Sequence, residues 1–182
     1  MKARAFDPER LDVEAFAREA GHLRGEWPLN GMLRLAECAH ADMALGAADR
    51  VAWHARGERR KGQGVELQPW LHLHLNARLA LTCQRCLGPV ETALAVDRRF
   101  CFVAGENQAA ALDDQMEDDV LALTRALDLR ALAEDELLLA LPLVPRHEHC
   151  QLPLVAGAAE ARSEEGAAPN PFAALGALRR PH

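Results

Sequence analysis

The chain has 182 residues, of which 49% are apolar and 26% charged, with a formal net charge of −6. That suits one compact domain of about 100 to 150 residues with tails, and is too short for two ordinary domains. The longest apolar stretch, Leu137 to Val144 around Pro142, is far below the roughly 18 residues of a membrane-spanning helix, and Met1 to Asp7 lack the apolar centre of a secretory signal, so a cytoplasmic protein is expected.

Leu11, Ala15, Phe16, Ala20 and Leu23 recur at helical spacing behind Pro8, which predicts a helix from residue 7 to about 24. Gly25, Pro28, Asn30 and Gly31 are expected to break it, and the periodicity assigns no state to Met32, Leu33 and Leu35. Val51, Trp53 and Ala55 then alternate with Ala52, His54 and Arg56, and Gly57 to Gly64 supply turn residues, so a hairpin with a basic tip follows. The next strand carries the strongest pattern. Leu71, Leu73, Leu75, Ala77, Leu79, Leu81 and Cys83 fall on one face, and His72, His74, Asn76, Arg78, Ala80 and Thr82 on the other. After Gly88-Pro89, Leu94, Val96, Phe100 and Phe102 mark a further strand. Residues 105–119, with Asp113, Asp114, Glu117, Asp118 and Asp119, read as a solvated loop or helix start. Leu129, Leu132, Ala133, Leu137, Leu138 and Leu141 predict a helix over 129–141, stopped by Pro142, that covers the sheet. The expected fold is therefore α+β: an antiparallel β-sheet with covering helices in one domain over 1–150. Residues 151–182 read as a flexible acidic linker ending in an apolar tail peptide over 169–180.

Several enzyme classes are excluded by residue usage. Ser163 is the one serine, in a segment rich in Ala, Glu and Gly, and tyrosine is absent, which leaves no seryl nucleophile on a rigid turn. Lys2 and Lys61 are the only lysines, and Gly62 follows Lys61 where a phosphate-cradling loop needs Ser or Thr. Charge is unevenly spread: residues 1–104 carry 15 basic and 13 acidic side chains, and residues 105–182 carry 6 and 14. A locally basic surface on an acidic chain still attracts phosphate, because fields reach only about 8 Å at physiological salt.

Five cysteines, at 38, 83, 86, 101 and 150, do not read as a disulfide framework in a reducing compartment. Cys83-Gln84-Arg85-Cys86 and His147-Glu148-His149-Cys150 offer two ligand pairs of matching spacing that could close a tetrahedral zinc site through Cys83, Cys86, Cys150 and His147 or His149; reduced, partly buried thiols are the alternative. A redox role fits less well, because that chemistry wants the motif at a helix start. His72 and His74 share a strand face with His54 from the neighbouring strand, but no carboxylate or cysteine is expected there to complete a metal set. Trp27, Trp53 and Trp70 read as packing residues.

Three stretches taken in series resemble the YceD family, the large ribosomal RNA subunit accumulation proteins: Leu81 to Leu87, Asp128-Leu129 with Glu134 to Pro145, and Pro169 to Leu175. The resemblance covers roughly residues 45–180. It implies a small bacterial cytosolic protein, without known catalytic activity, needed for normal synthesis, processing or stability of 23S rRNA. The reading is a non-enzymatic factor in large-subunit ribosome biogenesis whose partners are 23S rRNA or its precursor and large-subunit proteins, with neither membrane nor small-molecule substrate. The alternatives are a protein adaptor acting indirectly on rRNA, and a Cys- or metal-centred RNA-processing enzyme. Candidate RNA contacts are Arg56, Arg59, Arg60 and Lys61 at the hairpin tip with Arg85 beside the cysteines, because arginine's planar fork suits phosphate. Phe172, Leu175 and Leu178, at spacing three, are candidate docking residues of the tail peptide.

Overall fold

The computed structural model describes residues 5–61 and 67–150. In chain order they form α1 (Val13–Arg18), β1 (His22–Pro28), a 3-10 turn (Leu29–Gly31), α2 (Leu33–Ala36), β2 (Arg50–Lys61), β3 (Leu67–Thr82), β4 (Pro89–Val103), α3 (Glu106–Asp113), β5 (Asp119–Ala122) and α4 (Leu129–Leu139). The strands make one sheet in the order β1-β2-β3-β4-β5; the first three pairings are antiparallel and β4–β5 is parallel. The architecture is α+β, as expected, with a mixed, mostly antiparallel sheet.

The expected N-terminal helix is much shorter than its periodicity suggests. Asp12 caps α1 by accepting from the Ala15 N–H at 3.0 Å, but Ala20 turns to φ 48° and the Gly21 N–H donates back to the Phe16 carbonyl at 2.8 Å. That positive-φ exit closes the helix after barely two turns. Leu23 then lies in β1, opposite Ala55, so residues 22–24, expected in a helix, open the edge strand beside β2. Gly25 does not break that strand. It pairs with Trp53, where a Cβ would meet the indole at 3.0 Å, and so leaves room for the ring that Trp27 stacks upon at 4.4 Å.

The alternation in β3 is met except at Ala80, which is buried although it lies on the wetter face: Leu71, Leu73, Leu75, Ala77, Leu79 and Leu81 are buried, and α1, α2 and α4 pack on that face through Phe16, Leu35, Leu129, Ala133 and Leu137. Asp128 caps α4, accepting from Arg130 and Ala131, and the helix ends at Leu139 rather than 141, because Pro142 disfavours helical backbone at the residue before it. The helical layer is fastened to itself. Glu134 on α4 accepts from the Arg34 and Leu35 N–H groups at the start of α2, and the Arg34 guanidinium pairs with both Glu134 and Asp135.

Within 105–119 the expected helix start is α3, and the acidic run after it leads into β5, which the sequence pattern did not suggest. Ala109, Leu112 and Met116 cover a second, smaller cluster of Trp70, Cys101, Val103 and Val120. Trp70 pairs with Cys101 on the opposite face from Leu71, so this cluster lies on the other side of the sheet at one end. All three tryptophans are packing residues, each 9% exposed or less. No helix among the described residues is long and apolar enough to cross a membrane.

Candidate metal centre

The β3–β4 connection holds Cys83 and Cys86 in a tight turn. The Leu87 N–H donates to the Cys83 carbonyl at 2.9 Å, the Cys83 N–H donates to Gly88 at 2.9 Å, and Leu87 takes φ 61° to allow it. Beyond α4, Pro142 and Pro145 bring the chain back to this turn, where the Gln84 N–H donates to the Pro145 carbonyl at 2.9 Å. The two ligand pairs expected to meet therefore do. Donor atoms of Cys83, Cys86, His147 and Cys150 all lie within 4.8 Å of one another. The Cys83 and Cys150 sulfurs are 3.5 Å apart, and His147 Nδ1 is 3.4 Å from Cys86 Sγ and 3.7 Å from Cys150 Sγ. Bond lengths of about 2.3 Å for Zn–S and 2.0 Å for Zn–N predict tetrahedral edges of roughly 3.5 to 3.8 Å, so the spacing suits an ion at the centre. His147 rather than the exposed His149 is the histidine present.

Surrounding polar groups favour ligation. His147 Nε2 lies 2.9 Å from the Pro89 carbonyl, which only accepts; Nε2 therefore carries the proton and donates, leaving the Nδ1 lone pair directed at the sulfurs. Burial pushes the Cys83 thiol up, but the backbone N–H groups of Arg85, Cys86 and His147 outweigh it and bring the group down to about 5. Cys150 is also lowered, against its burial, by Arg85 and His147, whereas Cys86 is raised because burial, together with the neighbouring Cys83 and Cys150, outweighs the N–H of Gly88. The His147 imidazole is raised by the same thiols, Cys150 foremost. Cys83 and Cys150 are thus held towards the thiolate form that binds metal, and four protein donors close the coordination sphere without an open position for substrate. Arg85 braces the site: its Nη2 donates to the carbonyls of His147 and Glu148 at 3.3 and 3.4 Å. The remaining cysteines stand apart, Cys38 donating to the Arg34 carbonyl and Cys101 to Gln68, with the Cys101 thiol pushed up to about 11 by burial.

The other residues singled out from sequence are spread wider. Arg59, Arg60 and Lys61 lie at the end of β2, whereas Arg56, expected with them at the tip, lies mid-strand between His22 and His72; all four are exposed. Arg59 donates to the Leu67 carbonyl at 3.3 Å, and Arg60 pairs with Glu58 at 2.8 Å with its guanidinium 5.8 Å from the Trp70 ring centroid. Phe172, Leu175 and Leu178 lie outside the described residues. The histidine face does hold a carboxylate, contrary to expectation. Asp97 on β4 is registered opposite His74, and its Oδ1 lies 2.5 Å from His72 Nε2 and 3.5 Å from His74 Nδ1. Only the β3–β4 register places it there.

Fold and cluster together define an α+β domain whose central hairpin is clipped to the segment after its last helix by a Cys3His set that could hold a metal. The chain belongs to the family of the large ribosomal RNA subunit accumulation protein YceD, whose profile matches residues 71–179, a span containing all four cluster residues. It is 39% identical over 103 residues to the large ribosomal RNA subunit accumulation protein YceD of Haemophilus influenzae, a match covering 55% of this chain and 59% of that protein. The chain thus matches less than two thirds of that relative's length. No solved structure matches.

Proposed function

We propose that this chain is a non-catalytic, cytoplasmic factor in large-subunit ribosome biogenesis that supports the synthesis, processing or stability of 23S rRNA by contacting the RNA, and that its Cys3His cluster holds a structural zinc ion. The observation that carries the reading is the family match, which runs through the strand, the cysteine turn and the closing histidine and cysteine as one unit. A closed four-ligand site supports a scaffold role, because hydrolytic zinc chemistry needs a position for water. Zinc bound here is held by Cys83, Cys86, His147 and Cys150, and supplies a cross-link rather than a reactive centre. Arg56, Arg59, Arg60 and Lys61 on the β2–β3 arm, with Arg85 at its other end, are the RNA contacts in this reading. The apolar peptide with Phe172, Leu175 and Leu178 docks on a protein groove, with large-subunit proteins as the partners.

Complementation tests this directly. In cells lacking the native protein, the variant with Arg56, Arg59, Arg60 and Lys61 all changed to Ala is expected to leave mature 23S rRNA and 50S particles depleted on sedimentation gradients. In vitro, its RNA affinity should lose about one unit of salt slope for each duplex phosphate contact removed. Full rescue with unchanged RNA binding would rule out the arm and favour the adaptor reading. A chain truncated after Gly166 is expected to melt as the full chain does yet fail to restore 23S rRNA; complete restoration would rule out a docking role for the tail peptide.

A further inference from the structure

Helices α1, α2 and α4 cover one face of the sheet and α3 covers one end of the other, so that among the described residues most of that second face carries no helix. The cross-strand register arranges it in rows. His22, Arg56, His72 and Arg99 form one row, Arg24, His54, His74 and Asp97 the next, and Glu26, Ala52, Asn76 and Ala95 a third. Imidazoles step across three strands with nearly parallel planes: His22 to His54 and His54 to His74 are each 6.0 Å between centroids, at 16° and 12°.

The charge of this face is unbalanced. Glu26 pairs with Arg50, Glu58 with Arg60, and Asp97 with His72 and His74. Arg24, Arg56, Arg78 and Arg99 are exposed and form no salt bridge among the described residues, whereas Glu91 is the only carboxylate of the face's β1–β4 positions left without one. Burial foremost, and then repulsion from His74, His22, His72 and Arg24, holds the His54 imidazole below its ordinary value. Such a field repels a cation at the His72, His74 and Asp97 donors and attracts phosphate.

The surface is also shaped for flat rings. A depression of about 640 Å³ is lined by Arg24, His54, His74 and Asn76 over the short side chain of Ala52, and Asn76 is shared with a second one of about 480 Å³ that reaches Arg78 over Ala93 and Ala95. Both volumes fall in the range of ligand clefts, about 300 to 1,000 Å³. His54 is exposed and His74 half-buried beside these short residues, so both rings are reachable from solvent, and the Asn76 amide offers a donor and an acceptor to a base edge.

We propose that the bare face of β1–β4 is a binding platform for single-stranded RNA, with bases stacking on His54 and His74 and phosphates held by Arg24, Arg56, Arg78 and Arg99. This rests on the reading that the protein contacts RNA, and places the contact on the sheet as well as on the arm. A single strand is specified because unstacked bases can lie flat on such a surface, whereas a duplex presents only backbone to it.

The experiment measures anisotropy of fluorescent 12-nucleotide single-stranded and duplex RNAs with the full chain, across salt. Three variants accompany it: Arg24→Ala/Arg78→Ala/Arg99→Ala on the face, His54→Ala/His74→Ala for stacking, and Arg59→Ala/Arg60→Ala/Lys61→Ala on the arm. The face variant is expected to lower the salt slope by roughly 2 units, at about 0.7 per phosphate of a single strand. Losing the imidazoles is expected to weaken binding about tenfold or more at constant slope. All substituted face residues are on the surface, and melting temperatures confirm the fold. Ultraviolet cross-linking of 4-thiouridine RNA to the unmodified chain, expected on the peptides around His54 and His74, tests the placement without any substitution. Equal binding of duplex, or tight single-strand binding that both face variants retain with cross-links confined to the arm, would overturn the platform while leaving the RNA reading intact. Failure of the unmodified chain to bind any RNA would overturn both.

Discussion

Replacing Cys83 by Ser is expected to remove stoichiometric zinc from the purified protein and to lower its melting temperature sharply. Cys83 is fully buried, directly follows β3 and faces Cys150 across 3.5 Å, so its sulfur links the sheet to the segment that follows α4. A seryl oxygen is a poor thiolate substitute: it is too short for the site and does not ionise at neutral pH. Structural zinc contributes about 10 to 16 kcal/mol of apparent binding free energy in small finger peptides, and even a minor share of this is a large part of the roughly 5 to 15 kcal/mol that stabilises a domain. Chelator should lower the melting temperature of the unmodified protein and leave the Cys83→Ser variant unchanged. Cys150→Ser should also release zinc, with less direct damage to the sheet, which separates metal loss from a packing defect. Acidification should release the ion as well, because protons compete for the three thiolates and the imidazole. A purified protein without zinc, indifferent to chelator, would reduce the cluster to a set of thiols.

Phe16→Ala is expected to cost about 3 to 5 kcal/mol, which for a chain of this size corresponds to a fall of about 6 to 20 °C in melting temperature. Phe16 is fully buried, meets Phe6 edge-on at 5.1 Å between centroids, and lies against two glycines. A Cβ on Gly21 would come within 2.2 Å of its ring, and one on Gly57 within 2.6 Å of the ring and 2.7 Å of its carbonyl oxygen. The Gly57 contact includes backbone, so Gly57→Ala must push α1 off β2 and should destabilise as well. Because the two sites touch, the double variant should lose less than the sum of the single losses. Calorimetry and denaturant titration measure all three; a loss under about 1 kcal/mol for Phe16→Ala would mean that α1 does not anchor the fold, since truncations in a packed core cost more than that.

Local features were readable because their causes are local. The β3 alternation needs only a two-residue period, Gly88-Pro89 turns the chain by its own backbone preferences, and Pro142 stops α4 by a clash with its neighbour. The spacing of Cys83 to Cys86 and of His147 to Cys150 identified both halves of the metal site for the same reason. Helical periodicity misled between residues 7 and 24, because Leu11 and Leu23 are both compatible with a helix face, and only Ala20 and Gly21, turning back on Phe16, decide that the chain becomes β1.

Covalent spacing and side-chain chemistry are enough to specify a long two-faced strand, a cysteine turn behind it, a capped helix and an acidic second half. Tertiary structure alone decided which histidine closes the cluster, because His147 and His149 both lie within reach and only the hydrogen bond from Nε2 to Pro89 selects one. It also decided that Arg85 braces the cysteine turn, that Asp97 stands among the histidines, and that four arginines without a salt bridge among the described residues share one sheet face. The placement of Asp97 and of the four arginines depends on strand register, and register is set by long-range pairing: a slip of one residue would send a strand's side chains to the opposite face.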